Sequence, residues 1–264
     1  MHIIAHSLGS VMAVEILSKQ PTSVPKVDVH SRRIDVKHFD FNTTNLFCAG
    51  SPAGFFFYLE KAKLLPRRGQ GKPGAEHRDE LDKKITGESG TFGCMAVDNV
   101  YNIMHYNDPI AYRLNATVDA QYASGLRNAQ VPSATTGFFE SIGHAMRSMI
   151  PGFSSSADTC VGEVSRPGNI ARLPSQLELE VHDFTREEIA EKKFCLLNDN
   201  GQVDWCLSSG GGPLEIQYIN MLGAHSSYWI SPDFVRMIVT EVGREPGRSS
   251  TLPNMRATKV GHKA

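Results

Sequence analysis

At 264 residues the chain can bury one sizeable core, and its 41% hydrophobic content is that of an ordinary globular protein. A formal net charge of -1, without a stripe of Lys or Arg interleaved with aromatics, argues against nucleic-acid binding. The five cysteines (Cys48, Cys94, Cys160, Cys195, Cys206) are odd in number and contain no C-x-x-C pair, which excludes the usual zinc and redox spacings and reads as reduced thiols of a cytosolic protein.

In chain order, His2 to Ala5 is a short apolar run that predicts a strand, His6 to Gly9 a tight turn, and Ser10 onward a helix ending before Pro21. Val11, Val14 and Leu17, with Met12, Ala13 and Ile16 beside them, give that helix a broad apolar face to set on a sheet. Asn45 to Ala49 predicts a buried strand closed by Gly50-Ser51-Pro52. The apolar stretch 46–59 around it is broken by those residues and by Gly54, and is too short to cross a bilayer. Residues 61 to 93, rich in Lys, Arg, Glu and Gly, read as a long loop or partly disordered insertion, with the basic run "KAKLLPRR" solvated or, alternatively, touching anionic lipid. Asn99 to His105 is the third strand, and the turn signal "YNDP" after it carries Asp108.

From about 123 to 174 the pattern dissolves into Ser, Gly and Pro, a second insertion. Within it, 138–149 places Phe138, Phe139, Ile142, Ala145, Met146 and Met149 on one helical face, which would pack on the body or serve as a lid or bilayer-inserting segment. "FCLLNDNGQVDWCL" reads as two strands around Asn200-Gly201, with Asp204 on the second. "SPDFVRMIVTEV" opens a last helix with Ser231 as N-cap, Pro232 at N1 and Asp233 facing the positive end of the macrodipole. Residues 244–264 are expected to be a disordered basic tail.

The order strand, turn, helix around Ala5-His6-Ser7-Leu8-Gly9 is that of a nucleophile elbow, in which a G-x-S-x-G pattern lets the backbone turn sharply beneath an exposed serine. Alanine stands at the first glycine position and is small enough to fit. Ester hydrolysis by serine needs an imidazole to take and return its proton, and a carboxylate to hold the imidazole's tautomer. In α/β-hydrolases these follow in the order serine, acid, histidine at strand ends, an order met by Ser7, Asp108 and His225. The backbone N–H of Leu8 is the first oxyanion donor on this reading. A structural reading stands beside it: Ser7 as a turn residue, Asp108 as an Asx turn before Pro109, His225 as a buried structural histidine. His6 belongs to the elbow but reads as a packing or supporting residue. Asp204 and Asp233, near a histidine, would alternatively join a divalent metal site.

The blocks "AHSLGS", "LFCAGSPAGFF", "VYNIMHYNDPIAYRL", "GQVDWCL" and "AHSSYWISPDF", in this order over most of residues 2–243, resemble the DDHD-domain proteins, the family of intracellular phospholipases A1 that prefer phosphatidic acid. The Asp, Asp, His, Asp series that names the domain falls on Asp108, Asp204, His225 and Asp233, which would also be the ligand set of the metal reading. The resemblance implies the C-terminal part of an α/β-hydrolase fold over 1–243: a mostly parallel sheet with flanking helices, interrupted by the two insertions. It implies a cytosolic enzyme, peripheral on organelle membranes, that releases the sn-1 fatty acid of phosphatidic acid or a related glycerophospholipid. Ser7 would be the nucleophile, His225 the base and then acid, Asp108 its orienting carboxylate, with no metal required. Another branch of the family, within large phosphatidylinositol-transfer proteins, lacks the serine elbow and would make the domain an inactive lipid-binding or trafficking module; Ser7 points away from it. In the full fold several strands and the second oxyanion donor precede the elbow, so this sequence reads as a C-terminal portion with a bare first-strand edge.

Overall fold

A computed structural model describes residues 1–25, 38–70, 72, 85–133, 186–207 and 223–260. These residues belong to one compact unit, Met1–Ser133 with Arg186–Ala264. The segment 138–149, expected to be amphipathic, lies outside them, as does most of the insertion around it.

The four strands β1 (His2–His6), β2 (Thr43–Ala49), β3 (Val97–His105) and β4 (Asp204–Leu207) form one sheet in that order. Every neighbouring pair is parallel. Parallel neighbours need crossover connections, and here helices lie in the connections. Helix α1 (Leu8–Lys19) follows β1, α2 (Ala53–Leu59) follows β2, and α3 (Asn115–Val118) and α4 (Ala120–Ser124) follow β3. Helix α5 (Arg186–Leu197) leads into β4, and α6 (Pro232–Gly243) follows the 3₁₀ turn Ser227–Ile230. This is the α/β architecture that the apolar runs and the resemblance imply.

Leu46–Ala49 reads as an unbroken apolar run because β2 is buried on both faces. Alternate side chains serve opposite cores. Leu46, Cys48 and Val100 join Val14, Leu17, Phe57, Phe194 and Leu197 on one side. Phe47, Tyr101, Ile103 and Trp205 join Tyr228, Phe234, Met237 and Met255 on the other. β1 pairs only with β2 among the described residues, and Ile4 is 42% exposed, as expected of an edge strand.

Three expectations are corrected. Residues 194–197 close helix α5 rather than forming a strand, and β4 pairs parallel with β3 instead of antiparallel in a hairpin. A short apolar run cannot by itself distinguish a buried helical turn from a strand. Ala190, Phe194 and Leu197 are buried at helical spacing, and Glu187 and Glu188 occupy the first turn, where the macrodipole favours anions. The described part of the 61–93 loop is anchored on the body rather than solvated: Leu64, Arg67 and Ile85 are buried. The described part of the tail, 244–260, folds onto the body: Met255 is buried in the second core, the Ala257 N–H donates to the Asn200 carbonyl, and Leu126 and Lys259 form a bridge.

Candidate active site

The sheet ladder runs to the very ends of the strands, where the Ser7 N–H donates to the Ala49 carbonyl and the Gly50 N–H to the Ile103 carbonyl, both at 3.0 Å. Ser7, Gly50 and the residues after His105 are thereby aligned along one edge, the C-terminal side of the sheet where α/β sites form. Ser7 has φ 53° and ψ -133°, a region costly for any residue with a Cβ. Strain of this kind is held at about 1–3 kcal/mol by surrounding structure. Here the Ser10 hydroxyl bonds the Ser7 carbonyl and lies 2.6 Å from the Ser51 hydroxyl, fastening α1 beneath the elbow to the turn after β2.

The Ser7 hydroxyl donates to His225 Nε2 at 2.8 Å. His225 Nδ1 lies 3.0 Å from Asp108 Oδ2 and 3.1 Å from Oδ1. A carboxylate accepts only, so the ring proton is assigned to Nδ1 and the Nε2 lone pair faces the serine. The Asp108 side chain is fully buried, whereas that of His225 keeps 25% exposure, enough to meet a substrate. Asp108 Oδ1 also accepts from the Ile110 N–H at 2.9 Å, so the Asx turn foreseen before Pro109 and the contact with His225 are made by one carboxylate. The Leu8 N–H opens α1, where the first helical N–H groups have no intrahelical acceptor and the dipole attracts negative charge.

Of the neighbours of the three, His6 was expected as a packing or supporting residue, whereas Tyr228 and Gly50 were not legible in the sequence. Tyr228, wholly buried, donates its hydroxyl to Asp108 Oδ2 at 2.7 Å and accepts from the His105 N–H at 2.8 Å. Burial raises this phenol well above its ordinary value; the Asp108 carboxylate adds to the rise and the His105 N–H opposes it, so it stays protonated as a donor. His6 Nε2 donates to the His225 carbonyl at 2.6 Å and its ring stands 4.7 Å from that of His225. Gly50 leaves no room for a side chain: a Cβ there would lie 2.8 Å from Asp108 Oδ2. For Tyr228 and Gly50 only a Gly-Ser-Pro turn and an aromatic three residues beyond a histidine could have hinted at these contacts.

Asp204 and Asp233 are not brought into this cluster. Asp204 Oδ1 accepts from Asn102 Nδ2 (2.8 Å) and the Leu114 N–H (2.9 Å), and Oδ2 from the Asn115 N–H (2.9 Å). Burial raises its carboxyl above the usual range against the pull of these donors. It clamps the start of α3, and Asn102 Nδ2 also reaches the Tyr112 carbonyl (2.9 Å), bracing the loop that carries Asp108. Asp233 sits in the first turn of α6 behind the Ser231 cap, whose side chain accepts from the Phe234 N–H. Among the described residues no three His, Cys, Asp or Glu side chains gather as metal ligands would. Nor is any helix among them long and apolar enough to cross a membrane.

The family model described as the DDHD domain matches residues 39–175 and 171–243, which include Asp108, Asp204, His225 and Asp233 but not Ser7. A probable mitochondrial phospholipase of Schizosaccharomyces pombe is 24% identical over 253 residues, 91% of this chain and 31% of the relative. One of Saccharomyces cerevisiae, also named a probable mitochondrial phospholipase, is 24% identical over 242 residues, 92% of this chain and 28% of the relative. The phospholipase SGR2 of Arabidopsis thaliana is 23% identical over 223 residues, 80% and 22% respectively. The chain spans less than a third of the length of these relatives. No solved structure matches it.

Proposed function

Because the chain belongs to the DDHD-domain family, we propose that it carries the Ser7-His225-Asp108 triad of a phospholipase. The observation that carries this reading is the continuous contact from Ser7 Oγ to His225 Nε2 (2.8 Å) and from His225 Nδ1 to Asp108 (3.0 Å), mounted on a strained elbow. Ser7 Oγ attacks the carbonyl of an acyl ester while its proton passes to Nε2, and Asp108 stabilises the imidazolium that forms. The Leu8 N–H faces the oxyanion, a donor of a kind worth about 2.7–4 kcal/mol in the transition state. Collapse expels the lysolipid alkoxide with the proton from Nε2, and water releases the fatty acid from the acyl-serine by the same steps in reverse. This relay needs no cation to activate Ser7.

The substrate we assign is the sn-1 ester of phosphatidic acid or a related glycerophospholipid, on the strength of the family resemblance, with the protein peripheral on an organelle membrane. The names of the relatives support phospholipid as the substrate class, and those of the two yeasts point to the mitochondrion.

The test is fluorophosphonate labelling of the protein in lysate of its own cells, with the modified peptide identified. Label is expected on Ser7, and Ser7→Ala is expected to lower kcat/KM for phosphatidic acid about 10⁴-fold or more with the fold intact by circular dichroism. A detected but unlabelled Ser7, with lipid still bound, would replace the enzyme by a lipid-binding module.

A further inference from the structure

We propose that the Tyr228 hydroxyl is a positioning donor for the catalytic acid, holding Asp108 turned toward His225 and setting the pH at which His225 serves as base. The inference rests on the triad reading above. The phenol has one proton to give, and the geometry leaves it one direction. Its oxygen accepts from the His105 N–H (2.8 Å) at the end of β3, so the proton points to Asp108 Oδ2 (2.7 Å). The donor is thus referenced to the sheet, while Asp108 and His225 both stand on loops. The ring is fixed as well: Tyr228 is wholly buried in the second core, with Phe234 at 6.0 Å between ring centroids. Phenylalanine would fill the same space.

The Asp108 carboxylate has three kinds of donor: the Ile110 N–H on Oδ1, the Tyr228 hydroxyl on Oδ2, and His225 Nδ1 against both oxygens. Its side chain is fully buried, so loss of a donor is not made good by water. Among the described residues, the other titratable groups recorded around the phenol are His6, 5.8 Å away ring to ring, and the Cys206 thiol, whose own proton is held more tightly by burial; His105 meets it through its backbone N–H. None of these donates to Asp108 in the described contacts. A hydrogen bond to a carboxylate draws off negative charge and weakens its hold on a neighbouring proton. Without the Tyr228 hydroxyl, Asp108 becomes more basic, binds the imidazolium more strongly and raises the proton affinity of His225. The acid limb of the rate profile, below which His225 is protonated and cannot act as base, then moves to higher pH.

The experiment measures kcat/KM against pH for the full chain with a water-soluble p-nitrophenyl ester, for wild type, Tyr228→Phe, and the protein carrying 3-fluorotyrosine at 228. Phenylalanine should move the acid limb up by about half a pH unit, roughly a threefold loss on the acid side. Fluorotyrosine, a stronger donor of nearly the same shape, should move it down. Opposite shifts cannot come from loosened packing, and the fluorotyrosine protein keeps the His105 contact if the phenylalanine variant fails to fold. Limbs that coincide with wild type in the fluorotyrosine protein, and in Tyr228→Phe if it folds, would overturn the inference while leaving a labelled, active Ser7 standing. A wild-type protein with no esterase activity and no label would instead remove the triad reading, and this inference with it.

Discussion

Gly50 follows β2 with φ +56°, and the Cβ that any other residue would bring lies 2.8 Å from Asp108 Oδ2, 2.8 Å from Tyr228 Cε2 and 3.1 Å from His225 Nδ1. The acid and the histidine close over this position because nothing projects from it. In Gly50→Ala the left-handed backbone costs about 1–2 kcal/mol, and the methyl has to push the acid away from the imidazole. Displacement of a reacting group by about 1 Å can cost about 10²-fold in rate. Gly50→Ala is therefore expected to lose about 10²-fold in kcat/KM, with only a modest fall in thermal midpoint. Steady-state kinetics beside a melting curve checks this; equal activity at equal stability would mean that the cluster can yield without consequence. Ser7 shows the complementary case, a residue with a side chain held at positive φ.

At the scale of elements, α1 depends on a residue far along the chain. The last carbonyls of a helix have no internal partner. Here they are met by Arg67, which is buried and donates to the carbonyls of Leu17 (2.9 Å), Ser18 (2.9 Å) and Gln20 (2.7 Å), and to Cys94 across the loop (2.6 Å). A cation at the negative end of the macrodipole is also favourably placed. Arg67→Met keeps most of the apolar stem but removes charge-assisted hydrogen bonds, each worth about 1.5–3 kcal/mol. It takes from the Cys94 carbonyl its donor among the described contacts, while the Leu17, Ser18 and Gln20 carbonyls keep the Ala96 N–H, the Gly90 N–H and the Ser89 hydroxyl. A loss of about 3 kcal/mol or more in urea unfolding is expected, with part recovered in Arg67→Lys, which retains the charge and three donors. Since Ser7 sits at the other end of α1, loss of labelling should track loss of fold. The basic run around Arg67 looked solvated because composition does not reveal where a helix end lies.

Over the whole molecule, a buried ionic network ties together segments remote in sequence. Asp199, in the turn between α5 and β4, pairs with Lys72 (2.9 Å) and Arg244 (3.0 Å), and Arg244 pairs in turn with Glu241 of α6 (2.6 Å). The Tyr101 hydroxyl donates to Glu241, bringing in β3. Burial works against the Asp199 charge, but Lys72, the Gly247 N–H and Arg244 outweigh it and hold the carboxyl below its ordinary range. A carboxyl depressed in the folded state adds stability that is complete above its unfolded value, about 3.9, and is lost as pH falls through the lower folded value. Asp199→Asn leaves the buried Lys72 without its paired carboxylate, while Arg244 keeps Glu241, and should cost about 3–5 kcal/mol at neutral pH. The difference in urea stability from wild type should then narrow below about pH 4, where wild type loses the same charge. A difference independent of pH would show that packing, not charge, is what the substitution removes.

Periodicity and turn chemistry act over a few residues, so the sequence by itself determined β1, α1, β2, β3 and the capped start of α6, and with them the serine, acid, histidine order of the candidate site. The family followed from whole blocks in order. What only the tertiary structure decided are matters of convergence: that 194–197 finish a helix on the sheet, that 244–260 fold back onto it, and that Asp204 braces a loop. The same holds for Tyr228 and Gly50, which meet Asp108 across 120 and 58 residues of chain. Such contacts leave no local pattern, because a buried polar group needs only a partner in space, and the sheet, not the spacing along the chain, brings that partner within reach.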